Sequence, residues 1–266
     1  MKIMCLNGWG GTLYDQLISY LKEADPDVLC LQEVIHTPAS EADMLTYKDG
    51  DHVLPQRANL FRDVQNVLSD HIGIFCPAAQ GVLWDDQTEI PSQWGLATFV
   101  KKRFPIIEQL QGFVHKSYSP FDYGDHPRSR SAHAIKIYDY DSNTPMVIAH
   151  MHGLRDLKGK MDTPEREAQA RKFLTLINTL AEKDAPLIFC GDFNVEPDSE
   201  TLKILKEAGL KELVTTMTSK GTRNSYYKKE SRYADYLLVN DNVNVADFQV
   251  VFDPEVSDHC PLVLTT

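Results

Sequence analysis

The 266-residue chain predicts one layered domain of mixed class, α/β (α+β), spanning residues 1–266. Three observations carry this. Short apolar, strand-like runs are spread over the whole length, with only a few long helical patterns between them. No repeat at a period of about 20–50 residues, low-complexity tract or linker divides the chain. A content of 42% hydrophobic and 24% charged residues is that of an ordinary globular protein with a substantial core.

Ile3 to Leu6 reads as a first strand, ending at Asn7 and a flexible Gly8-Trp9-Gly10-Gly11. Leu13, Leu17, Ile18, Tyr20 and Leu21 recur at helical spacing until Asp25-Pro26-Asp27 breaks the pattern. Val28 to Leu31 is a second strand, apolar enough for burial on both faces, and runs straight into Gln32-Glu33. Residues 36–56 are polar and irregular, and Leu60, Phe61, Val64, Val67 and Leu68 mark an amphipathic helix. Ile72 to Phe75 and Leu96 to Val100 read as strands, with Phe104-Pro105-Ile106 an edge strand, where proline is tolerated. Residues 115–130 crowd His115, Tyr118, Tyr123, His126, Arg128 and Arg130 together without core periodicity, as a surface loop near a site does.

Ala132 to Tyr138 alternates as a strand, and Met146 to Ala149 is another, ending at His150-Met151-His152. Thr163-Pro164-Glu165 opens a helix with a capping hydroxyl, proline at the first helical position and acid in the first turn. Leu187 to Cys190 is a buried strand, with Gly191 a natural bend before Asp192-Phe193-Asn194. A helix then runs from about Ser199 to a stop at Gly209. Strands at Arg232–Val239 and Val245–Phe252 follow, and the chain closes on Ser257 to Leu264.

The net charge of −11 argues against a surface built to embrace nucleic acid, though a local basic patch is compatible with it. Five cysteines form no CxxC pair, and Cys5, Cys30 and Cys190 sit in apolar runs, which suits a reducing compartment without disulfides or a zinc cluster. The N-terminal apolar run is too short for a signal peptide, and no stretch approaches the roughly 20 residues that span a bilayer. A cytoplasmic location without a membrane partner is expected; the oligomeric state is not legible.

Polar groups stand at the ends of apolar strands six times: Asn7, Glu33, His150, Asp192 with Asn194, Asp235, and Asp258-His259. Each would be a buried polar group in need of a partner. Asp192 and Asn194, two apart in extended chain, project together. Glu33, Asp258 and Asn7 are oxygen donors suited to a hard cation such as Mg²⁺ or Mn²⁺ and not to zinc. His259 beside an acid such as Asp235 is a positioned imidazole. His150 and Asn194 offer donors to phosphoryl oxygens, and Asp192 can orient or deprotonate water. These are the parts of metal-assisted in-line displacement at phosphorus.

Asn7, Leu31-Gln32-Glu33, His150, Gly191-Asp192-Phe193-Asn194, Asp235-Tyr236 and Ser257-Asp258-His259 stand in the order and rough spacing of the endonuclease/exonuclease/phosphatase superfamily, which the chain resembles from Ile3 to Leu264. The resemblance implies a DNase I-like four-layer sandwich of two mainly antiparallel sheets flanked by helices. It implies Glu33 as main Mg²⁺ ligand with Asn7 and Asp258, and Asp192 as the residue that activates water. Asn194 would hold the phosphate, Asp235 would orient His259 against the scissile phosphate, and His150 would contact phosphate or protonate the leaving group. Arg130 falls where many members carry a phosphate-binding basic residue, with Arg128 close by; Arg232 is read as structural or as a brace. Trp9 replaces a polar ligand that some members carry.

The resemblance gives a reaction, not a substrate. The expected activity is a Mg²⁺-dependent phosphodiesterase or phosphatase acting on a small phosphorylated molecule or nucleotide. The alternative is a DNA or RNA nuclease, with Lys101-Lys102-Arg103 and Lys228-Lys229 as a basic rim; a binding module that has lost the chemistry is disfavoured. Loops 36–58, 80–94, 113–130, 153–163 and 217–231, with Trp84, Trp94, Tyr118, Tyr123, Tyr226 and Tyr227, are where substrate choice is expected to lie.

Overall fold

Alternation along the first strand, β1 (Lys2–Asn7), sets the layering: Ile3 and Cys5 belong to one core, Met4 and Leu6 to another. The computed structural model describes all of residues 1–266. Helix α1 (Tyr14–Ala24) and strand β2 (Val28–His36) follow, then β3 (Met44–Asp49), β4 (His52–Arg57), α2 (Leu60–Val67), β5 (His71–Asp85) and β6 (Thr88–Lys101). With β13 (Asp247–Val250) and β14 (Leu262–Thr265) these strands form an eight-stranded sheet, ordered β13-β14-β1-β2-β6-β5-β3-β4. The second sheet uses β7 (Ile106–His115), β8 (Arg130–Asp139), β9 (Thr144–His152), β10 (Leu187–Asp192), β11 (Lys211–Glu212) and β12 (Asp235–Val239), ordered β11-β12-β10-β9-β8-β7. Helices α3 (Pro164–Leu180), α4 (Glu200–Glu207) and α5 (Val214–Met217) complete the chain.

Met4 and Leu6 pack with Leu17 and Leu21 of α1 and Leu60 and Val64 of α2, so these helices cover the outer face of the first sheet. Ile3, Cys5 and Cys30 join Ile148 and Cys190 between the sheets. On the far side Phe173 of α3 meets Phe189 of β10 edge-on, ring centroids 5.4 Å apart. The result is helix, sheet, sheet, helix, each fully buried Leu or Phe contributing about 1.5–3 kcal/mol. The expected cap holds: the Thr163 hydroxyl accepts from the Arg166 amide at the start of α3.

Both sheets are antiparallel except at one pair each, β1 with β2 and β9 with β10. Each parallel pair is joined through a crossover containing a helix, α1 in one case and α3 in the other. Their carboxyl ends deliver Asn7, Glu33, His152 and Asp192, the ends where open α/β sheets bind ligands.

Several expectations are corrected. Residues 36–56 are not irregular but include the β3–β4 hairpin; within its two strands only Leu45 and Gln56 are buried, so no apolar run betrays it. Strands β5 and β6 extend far beyond their apolar cores as a long hairpin. The edge strand expected at Phe104-Pro105-Ile106 begins at Ile106 and runs to His115. Gly191 is not a bend: β10 continues to Asp192, and Gly191 (φ 143°) lies so close to β9 that a Cβ would sit 2.1 Å from the Met151 carbonyl oxygen. No helix is long and apolar enough to cross a membrane.

Candidate active site

Strand β2 does not end at Glu33 but bulges there. Its pairing with β6 slips between Leu31 and Val34, and Glu33 takes a left-handed conformation, φ 55°. Such a bulge re-aims a side chain, and it turns Glu33 into a cavity of about 420 Å³ that His152 and Asp192 also line. Asn194 is likewise left-handed, φ 55°, with its amide bonded to Asp192 Oδ1 at 3.1 Å. Asp192 and Asn194 therefore meet in the cavity through a turn and not by strand alternation. Strained backbone at two lining residues is the pattern of a functional site.

Asp192 is 1% exposed. Its Oδ2 accepts from Asn7 Nδ2 at 3.0 Å and lies 3.6 Å from His152 Nε2 and 3.7 Å from His259 Nε2. Asn7 Oδ1 accepts from the Trp9 amide at 3.0 Å, which leaves that oxygen a second lone pair, while its Nδ2 orients Asp192. Asp235 is the partner of His259, as expected: Nδ1 lies 2.8 Å from Oδ2, which also accepts from the Thr222 hydroxyl at 2.7 Å. Burial pushes Asp235 up to about 6 and, with Arg223, pulls His259 down to about 4.

His150 is not in the cavity. It lies between the sheets, Nδ1 3.0 Å from Gln32 Nε2 and Nε2 2.9 Å from the Thr98 hydroxyl. The two histidines share a face of β9, but His150 is one pleat period, about 6.7 Å, further from the mouth. His152 takes the position assigned to it, with neither ring nitrogen hydrogen-bonded and its ring 5.2 Å from that of Trp94. Burial and the nearby Arg130 hold His152 well below the usual histidine range, so it is neutral at pH 7.

Arg130 lines the cavity at 3% exposure, its guanidinium 5.0 Å from the Trp94 ring and its Nε and Nη1 without partners. Burial pulls it down to about 10, so it keeps its charge at pH 7. Arg128 also lines the cavity, but its guanidinium is engaged by Tyr47 and Asp49. Arg232 is a brace, donating to the Asn224 and Tyr227 carbonyls at 2.8 and 2.9 Å.

Three cavity cations carried no sequence signal. Arg223 bonds Asp258 Oδ2 at 2.5 Å and approaches Asp192 at 3.9 Å. It lies in an irregular loop, brought in by a bridge to His259. Lys160 donates to the Tyr233 carbonyl, and Arg155 joins it on the loop before α3. That loop is tied down by buried Arg166, which donates to the Met161 and Gly159 carbonyls. Altogether the cavity gathers seven of the chain's 27 Lys and Arg but five of its 38 Asp and Glu, a local reversal of the acidic total. Of the expected basic rim, Lys229 lines the cavity, whereas Lys101 and Arg103 pair with Asp25 and Asp27 away from it.

The oxygen donors fit a hard cation. Asp192, Asp235 and His259 present ligand atoms within 4.8 Å of one another, yet Asp235 and His259 are engaged with each other. Glu33, Asp192 and Asp258 remain, with Asp258 Oδ1 buried and unpartnered. Burial and Asp192 push Glu33 up, and burial also raises Asp258, the strain of crowded carboxylates that a cation relieves.

The comparisons agree with this architecture. The family model described as Endonuclease/Exonuclease/phosphatase family matches residues 5–259. Nocturnin from Drosophila melanogaster is 27% identical over 184 residues, which are 68% of this chain but 23% of that protein, so the chain spans under a quarter of that relative. Among solved structures, a mannosyl-6-phosphatase from Bacteroides thetaiotaomicron superposes with a TM-score of 0.72 at 15% identity, covering 100% of this chain and 98% of that one. The human Nocturnin catalytic domain with bound sulfate gives 0.68 at 21%, covering 99% and 92%. TDP2 from D. rerio, complexed with single-strand DNA product, gives 0.66 at 17%, covering 99% and 97%. The matched span runs from within β1 to His259 and takes in nearly every strand that supports the cavity: the chain belongs to the endonuclease/exonuclease/phosphatase family.

Proposed function

We propose that the protein, as one domain over residues 1–266, is a divalent-cation-dependent hydrolase of phosphoric esters. It acts on a small phosphorylated molecule or nucleotide by in-line attack of water. The observation that carries this reading is a juxtaposition in one cavity. Incompletely paired carboxylates, Glu33 and Asp258, face buried donors without partners, His152 and Arg130. The first set wants a cation and the second an anion, and a metal-bound phosphate ester supplies both.

Glu33 and Asp258, with the Asn7 carboxamide oxygen, would hold Mg²⁺ or Mn²⁺. When bound, the ion neutralises phosphoryl charge and makes water more acidic. Asp192, aimed by Asn7, orients the attacking water and accepts its proton. Asn194, His152 and Arg130 hold phosphoryl oxygens, and Arg223 keeps Asp258 and Asp192 apart. His259, held by Asp235, presents Nε2 to the reacting phosphoryl group. Five buried free thiols fit work in the cytoplasm.

A second reading, a nuclease for single strands, is favoured by the basic sign of the cavity and by Trp9 and Tyr227 in its wall. Turnover of bis(p-nitrophenyl) phosphate with Mg²⁺, then of sugar phosphates, nucleotides, plasmid, single-stranded DNA and RNA, tests both. No turnover of any of them with Mg²⁺ or Mn²⁺ would overturn the hydrolase. Strand cleavage that weakens steeply with salt would favour the nuclease.

A further inference from the structure

The cavity has two unlike ends. The charged groups described above crowd one; the other is walled chiefly by Ile35, Tyr47, Leu54, Trp94 and Tyr123, with His52, His126 and Arg128 at its edge. We propose that this apolar end is a leaving-group subsite for a flat aromatic ring, so that the substrate is a nucleotide, free or at the end of a strand, whose base lies there. The inference rests on the phosphoric-ester reading and names the substrate class within it.

The subsite is built, not incidental. Tyr47 and Tyr123 stand 5.9 Å apart between ring centroids, and the Arg128 guanidinium lies 5.6 and 5.8 Å from the two rings. Arg128 is itself fixed by Asp49 at 3.1 Å and by the Tyr47 hydroxyl, and His126 meets the same carboxylate at 3.0 Å. A hairpin tip and the loop after β7 are thereby clasped across the cavity's end. Tyr123 is seated against Gly81, where a Cβ would come within 2.4 Å of its ring, and its amide donates to the Gln80 carbonyl at 2.9 Å. Trp94 joins the two ends, its ring 5.2 Å from that of His152 and 5.0 Å from the Arg130 guanidinium.

Rigid aromatic walls favour a π-face, on which any base can stack. Gln56 at the same end offers a carboxamide for a base edge. A cavity of about 420 Å³ also lies in the range that encloses a ligand of nucleotide size.

Calorimetry in EDTA tests the subsite apart from catalysis, with AMP, ribose 5-phosphate and a single-stranded octanucleotide as probes. AMP or the octanucleotide is expected to bind at least tenfold tighter than ribose 5-phosphate, and whichever binds tighter identifies the source of the base. Tyr47→Ala should bring that ratio toward one, and Tyr47→Phe, which keeps the ring, should retain most of it; melting curves confirm that both variants fold. Equal binding of the three probes by the wild type, or a ratio that Tyr47→Ala leaves unchanged, would overturn the subsite. Bis(p-nitrophenyl) phosphate turnover with Mg²⁺ is measured on the same preparation, so failure of the hydrolase is told apart from failure of the subsite.

Discussion

The His259 imidazole and the Asp235 carboxylate meet at 2.8 Å, with His259 2% exposed. Burial works on both partners, raising the acid and lowering the base, so at pH 7 the pair is carboxylate plus neutral imidazole. As pH falls the pair takes up one proton, shared between partners, and Asp235 no longer offers a full negative charge to hold the ring. We expect kcat/KM to fall about tenfold per pH unit below about 6. Asp235→Asn should lower kcat/KM by at least 10²-fold, on the order of positioned acid–base catalysis, and flatten that limb. A wild-type profile that stays level from pH 8 to 5 would remove the dyad from the mechanism.

His150 and His152 differ by one pleat and, on this reading, by kind of work. His152→Ala removes an unpartnered donor from the cavity and should lower kcat/KM by on the order of 10²-fold with little change in stability. His150→Ala strands Gln32 and Thr98, whose side chains it bonds, and should cost about 1–3 kcal/mol of stability with kcat/KM near wild type. Steady-state kinetics and urea denaturation on the two variants decide it; the opposite pattern would restore His150 to the site.

How much of this could be read from the chain depends on whether a residue's position follows from local periodicity. β1, β2 and β10 carry continuous apolar runs buried on both faces, so the polar residues that close those runs, Asn7, Glu33 and Asp192, were visible, although β2 itself continues past Glu33. The pairing of Asp235 with His259 followed from chemistry once both stood at strand ends. The depth of His150 did not, because alternation gives a side chain's face and not its distance from the mouth. Glu33 reaches the cavity through a bulge, which periodicity does not encode. Arg223 and Lys160 sit in irregular loops placed by tertiary contacts with His259 and Tyr233. The β3–β4 hairpin was invisible because one buried residue per strand makes no pattern.

Glu33 links metal and stability in a way that needs no turnover. Its carboxyl is pushed above the usual range by burial and by Asp192, so its ionised form opposes folding. For a raised carboxyl, stability is lost as pH rises through the folded value. Glu33→Gln should therefore be more stable than wild type without metal. Mg²⁺ should stabilise the wild type by about 2.7 kcal/mol at a hundredfold excess over its dissociation constant, and Glu33→Gln by much less. Thermal melts in EDTA and in Mg²⁺ read both effects. Equal Mg²⁺ responses from the two proteins would exclude Glu33 as a ligand.

Gly191 and Gly209 both carry positive φ, 143° and 88°, but only Gly191 is crowded. At Gly209 nothing lies within 4 Å of an added Cβ. Alanine there should cost only the left-handed penalty of about 1–2 kcal/mol. At Gly191 the Cβ would stand 2.1 Å from the Met151 oxygen, so β9 and β10 must separate where they deliver His152 and Asp192. Gly191→Ala should cost more than about 4 kcal/mol, and any folded fraction should have lost activity because the two site residues are no longer held in register. Chemical denaturation of both variants, with kinetics on whatever remains folded, tests this. Equal losses at the two glycines would mean that backbone conformation alone, and not the close approach of the strands, requires glycine at 191.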